Sequence, residues 1–236
     1  MPPLNGPPQH IHPMIDLSLL ALSTEPATPK RTLTLPEAIN ELPNITPHNI
    51  SDATLSAYLN ALYAQGRERH TPNISPINTI FLQKLLEQRQ PKRVLEVGCA
   101  NGYSTLRFWQ TTRPWQAQID TLEVSAPNIV EAQHHFSVTG AHSDITLHEG
   151  NALELMPQLP HHAFDFIFID ARKIYTLDFF IRARQLAAPN ALVVIDDVIK
   201  FKDKMLNFYN YLKTESIKYT IEHIDDDEDG VMLVYT

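Results

Sequence analysis

The chain has 236 residues, and 19 basic against 27 acidic side chains give a formal net charge of −8 at neutral pH. A hydrophobic fraction of 43% supports a packed core, and the single cysteine excludes both a disulfide framework and a cysteine-rich zinc site. No apolar run is long enough to span a membrane and no other Lys and no Arg precedes Lys30, so we expect a cytoplasmic protein without a membrane partner. The acidic balance disfavours general nucleic-acid binding.

The chain changes character near residue 48, because ten of its eighteen prolines lie within the first 47 residues. Prolines at this density sustain neither a helix nor a central strand. We therefore predict an irregular, Pro-rich arm over residues 1–47, which is either a surface extension or a lid or partner contact. One domain is predicted over residues 48–236.

A helical lead-in is predicted over residues 48–90. Its first helix covers residues 52–65, with Ser51 as the N-cap and Gly66 as the stop. The second helix starts at Pro76 behind an N-cap at Ser75 and ends near residue 88.

From residue 93 the sequence alternates between short apolar runs and helical segments, which is typical of parallel strands covered on both faces. The predicted strands are 93–97, 118–124, 144–148, 164–170, 191–196, 218–224 and 231–235. The predicted helices are 103–111, 127–138, 151–158, 175–187 and 202–214. Together they predict an α/β fold, with a doubly wound, Rossmann-like sheet of seven strands in the order 3-2-1-4-5-7-6 and an antiparallel last strand.

A glycine turn follows the first predicted strand. Gly98 and Gly102 allow a tight turn and the close approach of a ligand, and the helix that begins behind them can hold an anionic group. A dinucleotide fingerprint needs glycine at two further positions, which are Ala100 and Tyr103 here. This pattern disfavours an NAD-dependent oxidoreductase.

Two more segments follow strands at the same edge of the sheet. Glu123 ends the second strand, where a carboxylate accepts hydrogen bonds from the ribose hydroxyls of a nucleoside cofactor; an ordinary surface acid is the alternative. Asn151 and Ala152 follow the third strand and could receive an adenine ring. An ordinary N-cap at Asn151 is the competing interpretation, and both roles are compatible.

The run Glu96-Val97-Gly98-Cys99-Ala100-Asn101-Gly102-Tyr103-Ser104 resembles the first motif of class I S-adenosylmethionine (SAM)-dependent methyltransferases. More narrowly, it is similar to the catechol / caffeoyl-CoA O-methyltransferase-like group, whose motif reads Glu-x-Gly-x-x-x-Gly-Tyr-Ser. The similarity extends over roughly residues 70–236. The resemblance implies that SAM is the cofactor and that its binding residues are Glu96, Gly98, Gly102, Tyr103, Ser104, Glu123, Asn151, Ala152 and Asp170.

Three aspartates are expected to crowd at the carboxyl ends of the fourth and fifth strands. Asp170 follows one strand, and Asp196 and Asp197 follow its neighbour. A hard divalent cation such as Mg²⁺ would explain the crowding, and the resemblance implies the same three ligands. The family has an asparagine where this chain has Asp197, a change that also matches related methyltransferases without a metal. Alternatively, Asp196 or Asp197 caps the next segment or lines the cofactor pocket.

Lys173 lies three residues after Asp170, as the catalytic lysine of the family does. Its expected task is to accept a proton from the acceptor hydroxyl. Because a free lysine has a pKa near 10.4, Mg²⁺ or burial must lower that pKa for the lysine to act as a base at neutral pH. A solvent-facing lysine is the alternative interpretation.

The sequence thus predicts a SAM-dependent O-methyltransferase that acts on a hydroxyl of a small, catechol-like acceptor, with Lys173 and Asp170 as catalytic residues and Mg²⁺ on Asp170, Asp196 and Asp197. Two alternatives remain open, which are methylation of a hydroxylated wobble uridine in tRNA and a non-catalytic SAM-binding module. A homodimer is retained as a possible assembly.

Two other polar features are predicted to be solvent-exposed. None of the eleven histidines, including the pair His134-His135, has the spacing of a helical metal site. The acidic run at residues 225–229 is predicted to be a solvated loop; a segment that borders the substrate mouth is the alternative.

Overall fold

A computed structural model of the protein describes residues 42–47, 50–224 and 229–236. The strands in these ranges are β1 (Arg93–Val97), β2 (Gln118–Glu123), β3 (Ile145–Glu149), β4 (Phe164–Ile169), β5 (Ala187–Ile195), β6 (Thr220–Glu222) and β7 (Val231–Tyr235). They form one sheet in the order β3-β2-β1-β4-β5-β7-β6. Strands β1 to β5 pair in parallel, whereas β7 runs antiparallel to β5 and β6. The predicted fold class, strand order and antiparallel last strand are confirmed.

Helices precede the sheet and connect its strands. The α-helices are α1 (Asp52–Glu68), α2 (Pro76–Arg89), α3 (Tyr103–Thr112), α4 (Ala126–Val138), α5 (Ala152–Leu155), α6 (Thr176–Leu186) and α7 (Leu206–Thr214). Short 3₁₀ helices lie at Arg113–Trp115, Ala141–Ser143, Met156–Gln158, Lys173–Tyr175 and Lys202–Met205.

The two lead-in helices begin at the predicted N-caps. The Ser51 hydroxyl accepts a hydrogen bond from the Thr54 amide at 3.1 Å, and the Thr54 hydroxyl accepts one from the Ser51 amide at 2.8 Å. The Ser75 hydroxyl accepts from the Asn78 amide at 3.1 Å, with Pro76 at the first helical position. These bonds satisfy amides that the helices cannot pair internally.

Gly66 does not end α1, which continues to Glu68. A Cβ atom at Gly66 would lie 2.4 Å from Nδ2 of Asn73, so the glycine admits the loop that folds back beside the helix. The prediction of a stop was wrong because a glycine permits close packing as well as a helix end. Among the other bounds, several differ by one or two residues, and β5 and β6 differ more, since β5 begins at Ala187 and β6 contains only three residues.

The hydrophobic core lies on both faces of the sheet. On one face, Phe168 of β4 packs in a cluster with Leu82 of α2. On the other face, Ile167 packs with Phe180 of α6. Because successive side chains of a strand point to opposite faces, β4 contributes to both clusters and is buried except at Asp165. Its carboxyl end is therefore fixed from two sides.

A buried polar network attaches α1 to α4. Arg69 donates two hydrogen bonds to Glu131, at 2.7 and 2.8 Å, and the Tyr58 hydroxyl lies 2.6 Å from Nδ1 of His135. Although burial raises the pKa of Glu131, the neighbouring His135 and Arg69 hold this pKa below its usual range. His135 is fully buried, so the prediction that the histidines are exposed was wrong at this position. The network holds the helical lead-in against α4.

Most of the predicted arm, residues 1–41, lies outside the described residues, as do residues 225–228 of the acidic loop. Ile45, near the end of the arm, is buried in the core of the domain. No helix within the described ranges is both long and apolar enough to cross a membrane.

Candidate active site

A cavity of about 910 Å³ opens at the carboxyl ends of β1, β2 and β4. This is the edge at which open parallel sheets bind their ligands. Six of the residues predicted for the cofactor line it, namely Gly98, Ser104, Glu123, Asn151, Ala152 and Asp170.

The glycine turn between β1 and α3 packs against the end of β4. Gly98 has φ +94°, and a Cβ atom there would lie 2.4 Å from the carbonyl oxygen of Asp170. Gly102 has φ +85°, and its Cβ would lie 2.8 Å from the ring of Phe136. Both positions therefore require glycine, for backbone conformation and for space. The turn brings the start of α3 and the Asp170 segment to one cavity.

Glu96 lies beneath this turn and is completely buried. Its carboxyl group accepts hydrogen bonds from three hydroxyls, those of Ser104 at 2.6 Å, Thr105 at 2.5 Å and Thr121 at 2.6 Å. Burial raises the pKa of Glu96 to about 7 in spite of these bonds, and Asp170 adds to the increase. The side chain thus ties β1, β2 and α3 together under the turn.

Three residues of the predicted cofactor set do not line the cavity, namely Glu96, Gly102 and Tyr103. Tyr103 is buried, with its hydroxyl 3.5 Å from that of Thr79 and its ring 5.4 Å from the ring of Tyr63. In this arrangement the glycine turn is supported, on the side away from the cavity, by Glu96, Gly102 and Tyr103. A direct contact of any of them with the cofactor stays a prediction.

Glu123 faces the cavity from the end of β2 and is held by backbone amides. Its Oε2 accepts from Ala100 at 2.9 Å, and its Oε1 accepts from Val124 at 2.9 Å and from Ser125 at 2.8 Å. These bonds attach the glycine turn to β2 and fix the carboxylate. Since Oε2 has a single partner among them, it can still accept a hydroxyl.

Asn151 is the N-cap of α5, as one of its two interpretations predicted. Its Oδ1 accepts from the Leu153 amide at 3.1 Å, and its Nδ2 donates to Glu154 at 2.9 Å. The residue also lines the cavity beside Ala152. The side-chain oxygen of Asn151 already accepts the capping hydrogen bond. An adenine ring would therefore contact the segment as a whole and not this oxygen alone.

Lys173 lies between two of the three predicted metal ligands. Its Nζ donates to Oδ1 of Asp170 at 2.8 Å and contacts Oδ2 of Asp197 at 3.0 Å, and the main-chain oxygen of Asp196 lies 3.3 Å away. Burial alone would lower the pKa of the lysine, but the carboxylates of Asp170, Asp197 and Asp196 raise it above its usual range. Burial therefore does not give Lys173 the lowered pKa that was expected of a base.

The carboxylate of Asp196 is bonded to α2 and not to Lys173, although Asp196 lines one small cavity together with Asp170 and Asp197. Both of its carboxylate oxygens accept from Nδ2 of Asn78, at 3.0 and 3.1 Å, and the side chain is almost fully buried. Burial, followed by the charge of Asp170, raises the pKa of Asp196 well above its usual range. Within the described ranges no group of three histidine, cysteine or acidic side chains is arranged to hold a metal ion. The three aspartates thus do not fit the predicted Mg²⁺ site in this arrangement.

Two residues of this region were missed by the sequence analysis. Asn78 carries no signal in the sequence, because it lies in the first turn of an ordinary helix 118 positions from its partner Asp196. Asp229 was assigned to the solvated loop, but it is half-buried and accepts from the Gly230 amide at 2.7 Å. Burial and the adjacent Asp197 raise the pKa of Asp229. The sequence signal that could have identified Asp229 is its position directly before Gly230 and β7.

Comparison with known proteins gives the family that the sequence motif around Gly98 indicated. The model of the O-methyltransferase family matches residues 49–221. A catechol O-methyltransferase of Niastella koreensis is 33% identical over 170 residues, which cover 68% of this chain and 76% of that protein. A catechol O-methyltransferase of Mycobacterium tuberculosis is 32% identical over 51% of this chain and 54% of its own length.

Solved structures share the fold. The O-methyltransferase TomG of Streptomyces achromogenes, in complex with SAM, matches with a TM-score of 0.66 and 25% identity over 75% of this chain and 89% of that one. An SAH-bound methyltransferase of Podospora anserina matches with a TM-score of 0.69 and 22% identity over 79% of this chain and 89% of that one.

A doubly wound sheet with a glycine turn and an acid at the next strand end defines an enzyme that binds a nucleoside cofactor. Within that class, this chain belongs to the O-methyltransferase family and is a SAM-dependent enzyme of the catechol and caffeoyl-CoA type. The predicted family and cofactor are confirmed, and the alternative of a non-catalytic module is set aside.

The raised pKa of Glu96 predicts a stability that depends on pH. The folded protein retains this proton up to about pH 7, whereas the unfolded chain releases it near pH 4.5, so stability from this group is present below pH 4.5 and lost as pH rises to 7. Relative to Glu96→Gln, the free energy of unfolding of the wild type should fall by about 3 kcal/mol across that range. Urea unfolding of both proteins measures the difference, and a constant difference would contradict the assignment.

Proposed function

We propose that this enzyme transfers the methyl group of SAM to a hydroxyl of a small, catechol-like acceptor. The observation that carries the proposal is the cavity itself, which Glu123 and Lys173 both line. Its volume of about 910 Å³ lies near the upper end of ligand pockets and has room for a cofactor and a small acceptor together. Holding both in one cavity supplies the proximity that methyl transfer needs.

The cofactor is proposed to occupy the side of the cavity formed by the ends of β1, β2 and β3. Glu123 would accept the ribose hydroxyls, because its carboxylate is fixed by three amides and retains a free acceptor position. Ser104, at the start of α3, would hold the methionine part, whose carboxylate suits a helix N-terminus. Asn151 and Ala152 would border the adenine.

The acceptor is proposed to lie against Lys173 and the apolar residues of the same wall. Ile174, Tyr175 and Phe201 line this part of the cavity, and Tyr175 is partly exposed. A flat aromatic acceptor would pack on these side chains. Of the three oxygen partners of Nζ, the Asp196 carbonyl at 3.3 Å is the most distant, so an acceptor oxygen can replace it.

Lys173 is proposed to act as a cation toward the acceptor. Its Nζ donates to oxygens on three sides, an arrangement suited to an ammonium and not to a free base. The ammonium would stabilise negative charge on the acceptor oxygen while that oxygen attacks the methyl carbon. The carbon–sulfur bond breaks, its electron pair stays on sulfur, and the acceptor proton passes to the carboxylate of Asp170. The Mg²⁺ ion that the resemblance implies has no part in this scheme, because the Lys173 ammonium lies between the carboxylates of Asp170 and Asp197.

The tRNA substrate and the homodimer named in the sequence analysis stay predictions. A small acceptor is favoured because the named relatives of this chain include catechol O-methyltransferases.

Calorimetric titration with SAM tests the proposed contact between Glu123 and the cofactor. The wild type should bind SAM, and Glu123→Ala should weaken binding by at least about tenfold, since it removes both the ribose acceptor and the anchor of the turn. Glu149→Ala is the matched control, because Glu149 ends the neighbouring strand β3 without lining the cavity. Equal affinities for the wild type and Glu123→Ala would contradict the ribose assignment.

Substitution of Lys173 tests the proposed role of its positive charge in methyl transfer. Lys173→Ala should lower kcat for methylation of a catechol by about a hundredfold or more, because the positive charge beside the acceptor oxygen is lost. The affinity for SAM, followed by calorimetry, should change little. Mass spectrometry of the methylated product measures the rate, and an unchanged kcat would remove the lysine from the mechanism.

A further inference from the structure

The position between Asp170 and Asp197 already holds a positive charge that belongs to the chain. The Lys173 ammonium contacts Asp170 Oδ1 at 2.8 Å and Asp197 Oδ2 at 3.0 Å, and the lysine side chain is only 11% exposed. A divalent cation bound by both carboxylates would have to displace this ammonium and leave it buried without partners. That displacement is unfavourable, since a buried charge needs compensation.

The third expected ligand is engaged elsewhere. Asp196 directs its carboxylate to Asn78 on α2, where both oxygens are bonded to one amide group. Using these oxygens as metal ligands would leave the Asn78 amide unpaired in a buried site, which is unfavourable. The position expected for the metal ion therefore has two carboxylates with a lysine between them, and not three free oxygen ligands.

The residue at position 197 fits the lysine better than it fits a metal. The resemblance implies an asparagine there, whose neutral amide would give the ammonium no second charge partner. The aspartate supplies that charge, and its backbone adopts φ +58°, a conformation that asparagine and aspartate tolerate better than most residues. The lysine in turn holds the pKa of Asp197 below its usual range, although burial opposes it.

We propose that the Lys173 ammonium occupies the cation position between Asp170 and Asp197, and that this enzyme orients its acceptor hydroxyl without a divalent metal. The methyl-transfer step is the one given above, in which the oxygen–carbon bond forms, the carbon–sulfur bond breaks and the proton goes to Asp170. The step rests on the proposed function. The absence of a divalent-metal site rests on the contacts of Lys173, Asp196 and Asp197 alone.

The test is a titration with Mn²⁺, which takes the same oxygen ligands as Mg²⁺ and is followed by the loss of its free electron paramagnetic resonance signal. The purified wild type should bind no Mn²⁺ at submillimolar concentrations. Lys173→Met, which keeps the length of the side chain but removes the ammonium, should gain one site. Adding Asp170→Asn to that variant should abolish the gain.

Two results would overturn the proposal. One is a submillimolar Mn²⁺ site in the wild type that Asp170→Asn removes. The other is a correctly folded Lys173→Met variant without any gain of Mn²⁺ binding. Cooperative thermal unfolding and SAM titration check the fold of the variant, and Lys173→Gln replaces it if it does not fold.

A second measurement uses the reaction. Methylation of a catechol by the wild type should proceed at the same rate with a chelator as with added Mg²⁺, and a rate that falls to background on chelation contradicts the proposal. Failure of the proposed function is distinguishable, because it would appear as no methylation of a catechol with either addition, whereas the Mn²⁺ titration involves no acceptor.

Discussion

The close approach of Gly98 to the backbone of Asp170 is the constraint on which the site depends. No side chain fits between the turn after β1 and the end of β4, since a Cβ atom would lie 2.4 Å from the Asp170 carbonyl. The turn and the Asp170–Lys173 segment therefore border one cavity, with β4 fixed by core packing on both faces. The parallel sheet thus brings residues more than 70 positions apart to a single edge.

The acidic side chains of this edge differ in their surroundings more than in their chemistry. Glu96 is buried under hydroxyls and its pKa rises, whereas Glu123 is held by amides at the cavity wall. Asp196 is buried against Asn78, and Asp197 pairs with Lys173. The adjacent residues Asp196 and Asp197 consequently have opposite pKa shifts. Burial and the charge of Asp170 raise the pKa of Asp196, whereas the Lys173 ammonium lowers the pKa of Asp197 against its burial.

The sequence was sufficient where local pattern decides structure. Strands β1 and β7 have the predicted bounds, the caps at Ser51 and Ser75 are present, and the motif around Gly98 indicated the family. The sequence was insufficient where a distant partner decides. The direction of Asp196 depends on Asn78, and the charge state of Lys173 depends on carboxylates from two strand ends. Such contacts follow from tertiary packing, which neither spacing nor composition encodes.

A crystal structure of the protein grown with S-adenosylhomocysteine tests the central claim most directly, because that claim is the shared cavity of cofactor and acceptor. The account predicts the ribose hydroxyls within hydrogen-bond distance of the Glu123 carboxylate and the sulfur atom facing Lys173. A ligand bound outside this cavity, or one whose ribose lies away from Glu123, would contradict it.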